Sequence, residues 1–166
     1  MSTMKTVTED EAFLKLATRC ATAEHAPQEL LRKMQEWGLN EESRQRVLLR
    51  LKEQHFTDEE RYAHAFANDK FRYSGWGRIK IAQALRMKGI PTPLIEEACH
   101  RLPADLYKQK LEKLLTNKSR AIQGVNSYVR KAKLARFAVG RGFEPDLVYR
   151  CMGEMDLGEN VYDDLF

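Results

Sequence analysis

One pattern occurs three times in this 166-residue chain, and it constrains the fold more than any other feature: an apolar residue, a second four positions on, a glycine four further, and an apolar residue directly behind the glycine. Leu30, Met34, Gly38 and Leu39 form the first copy. Ile81, Leu85, Gly89 and Ile90 form the second, 51 residues later, and Leu134, Ala138, Gly142 and Phe143 the third, a further 53 on. Apolar residues four apart share one face of a helix. A glycine behind them marks the left-handed position where helices end, and the next apolar residue folds back onto the last turn. Repetition at this period indicates tandem structural units, which either pack together or stay flexibly linked.

The flanks repeat as well. Thr8 with Glu11, and Thr57 with Glu60, read as capping boxes that open a helix. Each glycine is followed by a short polar link into another helix: Asn40-Glu41-Glu42, Pro91-Thr92-Pro93 and Glu144-Pro145-Asp146. Thr92 is placed to cap and Pro93 to occupy the first helical position. The unit is helix, helix, Gly turn, helix. The expected fold is all-α, with about nine helices in three tandem three-helix modules, in an elongated or curved repeat arrangement. The modules span 1–55, 56–101 and 102–152, followed by an acidic tail over 153–166 in which Val161, Tyr162 and Phe166 could dock. The third module is the least regular: Pro103-Ala104-Asp105 lacks a capping box, and Gly124-Val125-Asn126 marks a turn. No alternating strand pattern of useful length occurs.

Several function classes are disfavoured. No apolar run approaches the roughly 18 residues that a membrane span needs, and Met1–Asp10 lacks the features of a signal peptide, so a cytoplasmic address is expected. Cys20, Cys99 and Cys151 are odd in number and widely spaced, with no CxxC and no paired histidines; buried free thiols are expected, with no disulfide framework and no metal. His25, His55, His64 and His100 are scattered, and neither HExxH nor a nucleophile elbow is present. Asp58, Glu59 and Glu60 read as the usual complement to a helix dipole rather than as catalytic carboxylates. Gly75-Trp76-Gly77 lies in no phosphate-binding glycine motif. Neither catalysis nor a cofactor is expected.

The net charge of +4 hides a strong asymmetry. Between Asp69 and Ile90 six bases (Lys70, Arg72, Arg78, Lys80, Arg86, Lys88) face the single acid Asp69. Between Lys108 and Arg141 ten bases face only Glu112. After Arg150 come five acids (Glu154, Asp156, Glu159, Asp163, Asp164) and no base. A positive middle and third module suit a polyanion or an acidic protein surface, although a solvated helical surface has the same composition. In the second copy of the repeat Ile81, Ala82 and Leu85 fall on one side of a helix, and Lys80, Gln83 and Arg86 roughly on the other, so burial and binding use different faces. Phe71-Arg72-Tyr73-Ser74-Gly75-Trp76-Gly77-Arg78 interleaves aromatics with arginine, as a stacking surface or interface anchor would. The same residues also suit a core position for Phe71 and Trp76 and a turn at the two glycines.

Phe56, Asp58 and Tyr62-Ala63, followed by Gly77, Lys80-Ile81, Leu85 and Lys88-Gly89-Ile90, resemble the central signature of the RecX family. One extra residue separates Asp58 from Tyr62, and the remaining positions match in order. The resemblance covers nearly the whole chain and implies tandem three-helix modules. It also implies a non-enzymatic regulator that binds in the groove of the RecA–DNA filament and damps ATP hydrolysis, strand exchange and coprotease activity. Glu29 stands where the second module has Lys80, and Trp37 where it has Lys88, so binding roles do not transfer to the first module.

The candidate partner-binding residues are Arg72, Trp76, Arg78, Lys80, Arg86 and Lys88 in the second module, and Arg130, Lys131, Lys133 and Arg136 in the third. Arginine offers bidentate contacts to carboxylate or phosphate, and lysine a point charge. The expected partner is the RecA filament, with weak contact to single- or double-stranded DNA and no membrane, and a monomer is the simplest state. The alternative is a helical protein that acts on DNA directly through its basic helices.

Overall fold

The computed structural model describes residues 6–155, and among them every regular element is an α-helix. In chain order these are α1 (Glu9–Cys20), α2 (Pro27–Glu36), α3 (Glu41–Glu53), α4 (Glu59–Arg72), α5 (Arg78–Met87), α6 (Thr92–His100), α7 (Ala104–Ala121), α8 (Ser127–Gly140) and α9 (Pro145–Glu154). Most of the expected acidic tail, with Val161, Tyr162 and Phe166, lies outside the described residues.

The three repeat glycines close α2, α5 and α8 with one motif. Gly38, Gly89 and Gly142 have φ of 85°, 82° and 95°, a region that side chains with a Cβ disfavour. The amides of Leu39, Ile90 and Phe143 donate back to the carbonyls of Met34, Leu85 and Ala138 at 3.1, 3.1 and 3.2 Å. The glycine amides donate to Gln35, Arg86 and Val139 at 3.0, 3.0 and 2.9 Å. These paired bonds satisfy carbonyls that a helix end leaves orphaned. All six residues of the accompanying apolar pairs are buried, so each cap is also a packing contact.

Helix starts follow the sequence with two displacements. Helix α6 begins at Thr92 itself rather than at Pro93, with the Pro91 carbonyl accepting the Ile95 amide at 3.1 Å. Thr8, Asn40 and Asn126 accept the amides of Glu11, Ser43 and Val129 at 3.2, 2.8 and 2.8 Å. The capping box expected at Thr57 and Glu60 moves by one residue: Asp58 accepts the Arg61 amide at 3.0 Å, and α4 begins at Glu59. Aspartate is as good a cap as threonine, and its neighbour's hydroxyl is not needed.

The chain packs as two units, one of Met1–Ala65 with Ala84–Ala98, the other of Phe66–Gln83 with Cys99–Phe166, so α4 and α5 each begin in one unit and end in the other. In the first, α1 and α2 pack on α3 around Ala12, Phe13, Leu16, Leu30, Met34, Leu39, Val47 and Leu51. Phe56 meets Phe13 edge to face at 5.9 Å. In the second, α7, α8 and α9 pack on one another over Leu111, Leu115, Leu134, Ala138, Val148 and Cys151. Tyr107 lies between Phe71 and Phe143, with ring centroids at 5.7 and 5.1 Å. Each fully buried leucine-sized side chain contributes about 1.5–3 kcal/mol, so these stripes dominate the stability of both units.

Candidate partner-binding surface

The ten candidate residues divide between packing contacts and exposure. Arg86 and Lys88 belong to the first unit, and the other eight to the second.

In the first unit Arg86 is exposed on α5. Lys88 is half-buried and donates to Glu29 at 3.2 Å, with the Tyr62 hydroxyl alongside. Burial alone raises the Glu29 pKa, but Lys88, His25 and the Ala26 amide together hold it below the usual carboxylate value. Lys88 is shifted upward: burial opposes its charge, and Glu29 and Tyr62 outweigh the burial. Glu29 is the position that departs from the Lys80 pattern, and here it provides the partner of Lys88 within the same chain.

In the second unit Arg78 is half-buried. Its guanidinium donates to Glu144 at 3.0 Å and to the Cys99 carbonyl at 3.1 Å, and lies 3.8 Å from the Tyr107 ring centroid. The Tyr107 hydroxyl donates to Glu144 and accepts the Arg78 amide at 3.0 Å. Burial, then the bond to Glu144, raises the Tyr107 pKa well above the ordinary phenol value. Glu144 precedes α9 without capping it, because its carboxylate serves this network. Arg130 likewise has an internal role, donating to the Ser119 carbonyl at 2.9 Å and so satisfying the last turn of α7. Phe71 is core.

Trp76 is half-buried and edge-packed on Phe66 at 6.4 Å, with the ammonium groups of Lys70 and Lys80 at 4.7 and 4.6 Å from its ring. Cations at this range are attracted to the indole π-face. Arg72 is exposed at the end of α4, where Lys110 donates to its carbonyl at 3.1 Å.

Helix α8 carries no acidic residue, and Lys131, Lys133 and Arg136 are exposed along it. Lys133, Arg136 and Phe137 join Lys118, Ile122 and Gln123 around a cleft of about 470 Å³ between α7 and α8. Lys118 and Arg141 approach the Phe137 ring at 5.0 and 5.2 Å. Sequence reasoning missed Lys70, Lys118 and Phe137, all of which the fold brings beside predicted residues. Among the described residues, no helix is long and apolar enough to cross a membrane.

Taken together, the fold defines an all-α helical repeat protein whose modules carry cationic helices. Family models match as the second three-helix domain of RecX over residues 58–98 and the third over residues 105–152. A regulatory protein RecX of Pseudomonas savastanoi pv. phaseolicola is 31% identical over 132 residues, covering 80% of this chain and 83% of that protein. The regulatory protein RecX of Oceanobacillus iheyensis is 25% identical over 128 residues; the match covers 77% of this chain but 47% of that longer relative. The crystal structure of RecX from Lactobacillus salivarius superposes with a TM-score of 0.81 at 17% identity, covering 90% of this chain and 97% of the other. The chain belongs to the RecX family of regulatory proteins.

Proposed function

We propose that this chain docks on the RecA–DNA filament and restrains it, slowing ATP hydrolysis, strand exchange and coprotease activity. Membership of the RecX family is the observation that carries the reading. A ligand that binds one state of a filament better than another inhibits by holding that state, so the chain needs no catalytic group of its own. Arg72, Trp76 with Lys80, Arg86, Lys131, Lys133 and Arg136 form the contact set, supported by their exposure or half-exposure. Arg78, Lys88 and Arg130 act from within, by holding the helices that carry the others. The protein works as a cytoplasmic monomer, in modules that span 1–55, 56–101 and 102–152.

Co-sedimentation with RecA tests this reading. The chain should pellet with RecA filaments formed on single-stranded DNA and remain in the supernatant with DNA alone at physiological salt. Failure to pellet with filaments contradicts the proposal.

A second reading, direct action on DNA, is favoured by the cleft lined by Lys118, Lys133, Arg136 and Phe137, which offers charge to phosphates and a ring to a base. It predicts binding to DNA without RecA, falling steeply with salt.

A further inference from the structure

Glu60 and His64 lie one turn apart on α4, and Glu97 approaches them from α6, all within the first packing unit. One imidazole nitrogen and one oxygen from each carboxylate fall within 4.8 Å of one another. His64 Nε2 is buried from solvent and has no hydrogen-bond partner among the described residues. The Glu60 oxygen that it faces is 3.8 Å away, beyond hydrogen-bond length. A buried imidazole nitrogen without a partner is costly.

A cation between the three donors removes that penalty. We propose that Glu60, His64 and Glu97 form a binding site for a divalent first-row transition ion, with zinc as the best fit. The imidazole selects this class over magnesium and calcium, which take oxygen donors almost exclusively. Bonds of roughly 2.0–2.2 Å in tetrahedral geometry place donor atoms about 3.4 Å apart, so closure needs only small side-chain movements. Glu60 is exposed, and His64 and Glu97 are half-buried, which leaves room for them. Three protein donors leave a fourth position for water or for a donor from another molecule. The ion would tie α6 to the first turns of α4 within the central signature. This inference is independent of any action on RecA.

The test uses the full chain after chelator treatment, titrated with Zn2+ against a chromophoric competitor and with Co2+ by its visible absorption. One ion per chain is expected, with Glu60→Gln, His64→Gln and Glu97→Gln each weakening affinity about tenfold or more. His25→Gln and Cys20→Ser, which remove other zinc-competent side chains, should leave the affinity unchanged. Because Glu60 is exposed, Glu60→Gln should keep wild-type helicity by circular dichroism, so its loss of binding reports on the site. Absence of saturable binding by the wild-type chain overturns the proposal. So does binding that survives both Glu60→Gln and His64→Gln, or that disappears with His25→Gln or Cys20→Ser.

Discussion

A β-carbon placed on Gly77 would lie 2.3 Å from the carbonyl carbon of Gly142, so the turn before α5 and the turn after α8 meet backbone to backbone. The amides of Gly77 and Ile79 donate to the carbonyls of Arg141 and Gly142 at 2.8 and 2.9 Å. Orphan donors at the start of one helix thereby satisfy orphan acceptors at the end of another. The contact holds because neither glycine has a side chain: a β-carbon on Gly142 would come within 2.4 Å of the Lys80 Cβ.

Gly77→Ala and Gly142→Ala should therefore each destabilise the chain by about 3 kcal/mol, since backbone at both ends must shift. Gly124 also has positive φ, at 74°, but nothing lies within 4 Å of an added β-carbon. Gly124→Ala should cost only about 1 kcal/mol, the strain of the left-handed conformation. Urea unfolding of the three variants checks the order, and equal losses would refute the close approach.

The Arg78 fork predicts a stability defect rather than a binding defect. Arg78→Ala removes donors to Glu144 and Cys99 and leaves a half-buried carboxylate short of a partner, at a cost of about 2–3 kcal/mol. Lys133→Glu with Arg136→Glu, both exposed, should change stability by less than about 0.5 kcal/mol per site. The same pair should weaken filament binding at least several-fold. Normal binding by the charge-reversed pair would move the interface off α8.

Alkaline pH should act through Tyr107. Its folded-state pKa is raised above the reference value of 10.0 by burial and by Glu144, so the folded chain holds this proton more tightly than the unfolded chain. The stability that it contributes is complete below pH 10 and is lost as pH rises towards the folded-state value. Tyr62 shifts in the same direction, chiefly through burial, and adds to the loss. Urea midpoints should fall above pH 10, and less steeply for Tyr107→Phe. Identical slopes would show that Tyr107 titrates normally.

Local rules carried much of the fold. Gly38, Gly89 and Gly142 were legible as helix ends because a left-handed residue followed by a buried apolar one is a short-range requirement. The cap at Asp58 was misplaced to Thr57 because adjacent residues of equal capping ability differ only in backbone geometry. The site was harder to read, since its decisive contacts are remote in sequence. Arg78 meets a carboxylate 66 residues away, and Lys88 one 59 residues away, so neither pairing follows from helical spacing. Lys118 joins Lys133 only once α7 and α8 pack. Glu60 reads as a dipole partner until Glu97 is brought beside it and His64.

RecA's DNA-dependent ATP hydrolysis, measured on preformed filaments with increasing amounts of this chain, tests the central claim most directly. The account predicts that hydrolysis slows at chain concentrations well below that of RecA, and that Lys133→Glu with Arg136→Glu shifts the effect to higher concentration. An unchanged rate while the chain is demonstrably bound to the filament would contradict it.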